Sequence, residues 1–114
     1  MTTVELLEGY ILKAGDNRPT LLLQLLEEEN KEPMNLQGFT VDFKLKNNKT
    51  GEIVVNNPMT IANARNGIVK YEWSSAETSD AGLYNGEVTA DDGTVTLTFP
   101  NDGYFQIDIN ELIE

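Results

Sequence analysis

The chain has 114 residues, 39% of them hydrophobic and 24% charged, which suffices for one modest core and is too short for two. It contains no Cys and no His, which removes disulfides, thiolate zinc sites, Ser-His and Cys-His nucleophile systems and imidazole general bases. Eight Lys and Arg against nineteen Asp and Glu leave a net charge of −11, so a phosphate backbone is repelled and nucleic acid is not an expected partner.

In chain order, Val4 to Lys13 and Thr20 to Glu27 are β-rich or Leu-rich runs separated by Ala14-Gly-Asp-Asn-Arg-Pro19, whose Gly and Pro punctuate a turn. Leu21-Leu-Leu-Gln-Leu-Leu-Glu27 also consists of good helix formers; its start after Pro19-Thr20, its central Gln24 and its strand-rich surroundings favour a strand. Phe39-Thr-Val-Asp-Phe-Lys-Leu-Lys46 carries the clearest signal. Phe39, Val41, Phe43 and Leu45 alternate with polar residues at the two-residue period of a half-buried strand. Asn47-Asn-Lys-Thr-Gly51 then turns the chain into a returning arm at Glu52–Val55.

Met59–Ile61 reads as a further short arm, and Asn63–Gly67 turns into Ile68–Trp73, whose Val69, Tyr71 and Trp73 are expected to face the core. Ser74-Ser-Ala-Glu77 has the spacing of a capping box and predicts at most one helical turn. Tyr84–Ala90, with core Val88, and Thr94–Phe99 form a hairpin about Asp91-Asp-Gly93, and Tyr104–Ile109 is the last alternating strand. About seven to nine short strands without a convincing helix predict an all-β antiparallel sandwich or a small barrel, and Asp80-Ala-Gly-Leu-Tyr84 ahead of a strand favours the sandwich. No apolar run reaches the ~18 residues of a membrane span, and Met1–Glu5 lacks the basic and apolar regions of a signal peptide. The expectation is therefore a protein made in the cytosol with no membrane partner.

The charge is unevenly distributed: residues 1–70 hold all eight bases and nine acids, whereas residues 71–114 hold ten acids and no base. Those acids serve solubility, adaptation to high salt or docking on a basic partner, and the sequence leaves the three open. Asp80, Glu87, Asp91 and Asp102 are the carboxylates to consider for acid–base chemistry, but they fall in turns or on polar faces, where no cleft desolvates them. Asp91-Asp-Gly93 and Asn101-Asp-Gly103 offer oxygen ligands for calcium, yet neither has the spaced ladder of an EF-hand and both are explained as turns. No catalytic residue, metal or cofactor is assigned.

Glu27–Glu32 reads as a solvated charge run. Tyr10, Trp73, Tyr104 and Phe105 have the chemistry to stack on sugars, but at alternating strand positions they are expected in the core. Open sheet edges offer another kind of site. Val4–Leu7, with Val4 and Leu6, and Gln106–Ile113, with Ile107 and Ile109, are the candidate assembly edges.

Two resemblances follow from these residues. Asp80-Ala-Gly82-Leu-Tyr84 before a strand is similar to the tyrosine corner of immunoglobulin-like domains, although Gly86 stands where antibody domains place a disulfide cysteine. Across nearly the whole chain, Lys13-Ala-Gly-Asp16, Pro19 to Leu26, Leu36-Gln-Gly-Phe-Thr-Val-Asp-Phe-Lys-Leu45, Gly67-Ile-Val-Lys-Tyr-Glu-Trp73, Asp80–Glu87 and Thr98-Phe-Pro-Asn-Asp-Gly-Tyr104 together resemble the immunoglobulin-like N-terminal domain of the baseplate upper protein family of tailed bacteriophages. The resemblance implies a structural module of the virion, in many symmetric copies, packed on tail, baseplate or capsid proteins, with no catalytic residues to carry over. Longer family members continue toward receptor-binding proteins; this sequence ends at Glu114, so no receptor-binding role is carried over. A capsid decoration or head-fibre protein and a carbohydrate-binding adhesion module are the alternatives to a baseplate, tail or accessory role.

Overall fold

The computed structural model describes residues 2–27 and 32–112, and over them the chain forms two packed sheets without a helix. Its strands are β1 (Thr2–Glu8), β2 (Ile11–Lys13), β3 (Leu21–Glu27), β4 (Glu32–Pro33), β5 (Thr40–Asn47), β6 (Ile53–Pro58), β7 (Thr60–Asn63), β8 (Ile68–Tyr71), β9 (Gly82–Asp91), β10 (Thr96–Phe99) and β11 (Phe105–Asn110). One sheet runs β1-β3-β8-β7, with β4 extending β8's side of β3; the other runs β2-β11-β9-β5-β6, with β10 continuing β11's side of β9. All pairings are antiparallel except β11 with β2, which is parallel.

The expected all-β sandwich is what forms, with eleven described strands in place of seven to nine. The surplus is the two-residue β4, which no alternation announces, and a change of sheet inside one run that reads as continuous. Val4–Lys13 divides at Gly9: β1 pairs with β3 in one sheet and β2 with β11 in the other. Gly9 sits at φ +77°, and a Cβ there would collide with the backbone of Thr20 and Leu21, so only glycine lets the chain cross at this point. The second crossing is at buried Met59, where β6 ends on β5 and β7 begins on β8. Nothing in the alternation marks the crossing at Gly9, because both halves keep a strand period, whereas the arms on either side of Met59 read as separate in the sequence.

Leu21, Leu23 and Leu25 are fully buried, which is why the Leu-rich run is a strand: its period-two face fills the core, whereas a helix would scatter these side chains. Val41, Phe43 and Leu45 of β5, Val69 and Tyr71 of β8, Trp73 and Val88 also lie in the core. Phe39 precedes β5 and is only half-buried against it. Phe43 touches Tyr71, Trp73 and Phe105 at ring-centroid separations of 5.1, 5.8 and 6.1 Å, tilted, edge-on and stacked respectively. These rings come from both sheets and hold them face to face.

Gly86 of β9 lies beneath this cluster. A Cβ there would stand 2.5 Å from the Phe105 ring, so the position that takes a disulfide cysteine in antibody domains is emptied here for an aromatic ring. Gly86→Ala is therefore expected to destabilise the fold by about 1–3 kcal/mol through overpacking. Gly86→Ala combined with Phe105→Leu should recover part of the loss; equal urea midpoints for wild type and Gly86→Ala would contradict the packing described.

Candidate functional site

The end of the molecule before β9 is built from turns tied to one another. Tyr84 is 1% exposed, and its hydroxyl donates to the carbonyl of Asp80 at 2.7 Å, closing the Asp80–Tyr84 corner over Gly82. Burial, and next the Asp80 carboxylate, push the Tyr84 phenol above its ordinary pKa, so it stays a donor. Ser74 and Glu77 bond reciprocally, the Glu77 amide to Ser74 Oγ at 3.3 Å and the Ser74 amide to Glu77 Oε1 at 2.9 Å. The capping box is present, but only a turn follows it. Glu77 is recruited elsewhere: its Oε2 accepts from Tyr71 Oη at 2.5 Å and from Asn57 Nδ2 at 3.3 Å, which draws the turn onto β8 and β6.

Thr78 is the buried polar residue of this turn; its Oγ1 donates to the carbonyl of Asp16 at 2.6 Å, and the Gly15 amide donates to its carbonyl at 2.8 Å. The turn Lys13–Asp16 is thereby locked to the turn before β9. The whole constellation is a structural clasp between the sheets, and its side chains are occupied by one another.

The carboxylates considered from the sequence are not brought together. Asp80 and Asp91 flank β9 at its two ends, roughly 30 Å apart at 3.3 Å per residue; Glu87 lies outward between them and Asp102 in the β10–β11 loop. Among the described residues no three Asp or Glu side chains form a metal-holding group. Asp91 and Asp92 serve the hairpin: Asp91 Oδ1 accepts from the Gly93 amide, and Asp92 Oδ1 from the Thr94 and Val95 amides at 2.9 and 2.7 Å. The Val95 and Thr94 amides hold the Asp92 carboxyl below the usual carboxylate range.

The candidate edges fare differently. Val4 and Leu6 are on β1, which among the described strands pairs with β3 alone and touches the end of β10 through Thr2, and both side chains lean half-buried on the core. Ile107 and Ile109 are not at an edge. β11 lies between β9 and β2, both side chains are buried, and the short β2 caps what looks like a terminal strand in the sequence. Ile113 and the Glu28–Lys31 part of the charge run lie outside the described residues.

Of the aromatics weighed for sugar stacking, Trp73 and Phe105 are buried, Tyr10 is half-buried and Tyr104 is 49% exposed. Tyr104 forms the feature that the sequence did not disclose. Its ring lies under Lys46 Nζ at 4.7 Å, beside Ile53, which is 58% exposed, on the outer face of the second sheet. The outward positions of β5, Lys44 and Lys46, were the available signal; what they face depends on the β5–β6 and β10–β11 connections.

Over the described residues the chain is thus an all-β sandwich whose turns are closed by their own polar groups. The family model described as the BppU N-terminal domain, that of the baseplate upper protein, matches residues 10–101, and the chain belongs to that family. No curated protein matches the chain in sequence.

Tyr84→Phe should lower stability by about 1 kcal/mol, the usual net worth of one hydrogen bond, as read by denaturant unfolding; an unchanged midpoint would contradict the corner's contribution. Burial first, and the bond to Glu77 second, push the Tyr71 phenol from 10.0 up to about 12. The folded state keeps this proton where the unfolded chain loses it, so stability is complete below pH 10 and falls as pH rises from 10 toward 12. Glu77→Gln should move the highest tyrosine titration, followed by ultraviolet absorbance, to lower pH; an unmoved titration would remove Glu77 from the network.

Proposed function

We propose that this chain is a non-enzymatic structural component of a tailed-virus particle that acts by protein–protein assembly, as a single domain spanning residues 1–114. The observation that carries this reading is membership of a phage baseplate family across most of the chain, residues 10–101. That family is one of phage structural proteins, and it supports a virion location and other virion proteins as partners. The corner closed by Tyr84 supports an immunoglobulin-like arrangement of the two sheets.

In this reading the chain is made in the host cytoplasm and enters the tail or baseplate in symmetric copies, held by surface contacts with no cofactor. The net charge of −11 adds a salt-dependent component to docking on a basic neighbour. The test is the mass of the purified chain by light scattering in low and high salt, alone and mixed with virion proteins from its source. A defined oligomer, or a salt-sensitive complex with a tail or baseplate protein, is the expected result. A monodisperse monomer that ignores every virion protein would overturn the proposal.

A further inference from the structure

The outer face of the second sheet holds a hollow of about 210 Å³ lined by Lys44, Lys46, Ile53, Asn85, Glu87 and Tyr104. The charged groups of its lining are Lys44 and Lys46 against Glu87, a small positive excess on a chain of net charge −11. Its apolar members are open to solvent, Ile53 at 58% and Tyr104 at 49%. Tyrosine beside an aliphatic side chain, with two lysines at hand, is the composition of a contact that buries an apolar anchor flanked by acids.

The same chain carries such an anchor. At the β9–β10 tip Asp91 and Asp92 flank a turn that projects Val95, which is 43% exposed. The turn bonds use Oδ1 of each carboxylate and fix where the two charges sit, so little ordering is needed on contact. One chain cannot fill its own hollow. Asp91 pairs with Thr40 and Glu87 with Lys44, so tip and hollow are four residues apart along one rigid sheet, roughly 13 Å.

We infer that the β9–β10 tip of one copy docks in the Lys44–Lys46–Ile53–Tyr104 hollow of a second copy. This rests on the assembly reading above and specifies its homotypic contact. Tip and hollow are different surfaces, so the contact is head-to-tail and continues into a ring or an open filament. Salt weakens it, because the screening length falls to roughly 4 Å near 0.5 M.

The chain contains no cysteine, so disulfide trapping reads the contact without background. Ile53→Cys and Val95→Cys, purified separately and mixed under mild oxidation at low salt, should give a mixed covalent dimer in several-fold excess over either variant alone. Asp91→Lys/Asp92→Lys on the Val95→Cys chain should abolish that excess, and Lys44→Glu/Lys46→Glu on the Ile53→Cys chain should restore it. The pairing is overturned if the mixture yields no more dimer than a Leu7→Cys and Val95→Cys control, or if Ile53→Cys links best to itself. Oligomers that form without this cross-link would contradict the pairing and leave the assembly reading standing. Absence of the chain from purified particles would contradict the assembly reading itself.

Discussion

Phe43 is the point at which the two sheets are joined. It stands on β5 beside β9 and meets Tyr71 and Trp73 from the β8 side and Phe105 from β11. With no cysteine in the chain, inter-sheet cohesion rests on buried apolar area, on the turn clasp and on the contacts of Phe43 with Tyr71 and Trp73, which add about 0.5–1.5 kcal/mol per pair beyond their area. The surrounding residues follow from that requirement. Gly86 has no side chain because Phe105 occupies its space, and Tyr71 bonds Glu77 and Asn57 so that its buried edge is not left without a partner.

β9 organises the second sheet around this junction. Its ten residues have β5 along one side and β11 then β10 along the other, and Gly82 and Asp91 mark its two ends. One end is tied down by the corner and the turns at residues 13–16 and 74–80; the other projects as a hairpin tip. Among the described residues this scaffold leaves the hollowed outer face of the second sheet and the hairpin tip open, the surfaces on which the assembly proposed above draws.

The parts of the fold that depend on side-chain period are legible in the amino-acid order alone. Val41, Phe43 and Leu45, and Leu21, Leu23 and Leu25, announce their faces by alternation, and Asp91-Asp-Gly93 announces its hairpin by turn chemistry. Which sheet a strand joins is not legible there. Gly9 and Met59 are crossings because of what lies beside them, Thr20 and Leu21 in one case and Val41 in the other, and those neighbours are distant in sequence. The burial of Ile107 and Ile109 likewise depends on the parallel pairing of β11 with β2, and the exposure of Tyr104 on a loop that starts at Pro100. The resemblance carried by ordered short motifs identifies the family, while the exposed Lys46–Tyr104–Ile53 surface exists only once β6, β5, β9 and β11 are assembled in that order.

On the function proposed above, this sandwich is a building block of a particle, presented to its neighbours as a rigid unit. A cryo-electron microscopy reconstruction of the purified particle, with the chain traced in the density, tests that role without an intermediary. Repeated copies of the two-sheet fold are expected, symmetry-related and in contact with one another or with tail and baseplate proteins, with the Phe43 junction intact in each. A complete reconstruction that accounts for all tail and baseplate density without this fold would contradict it.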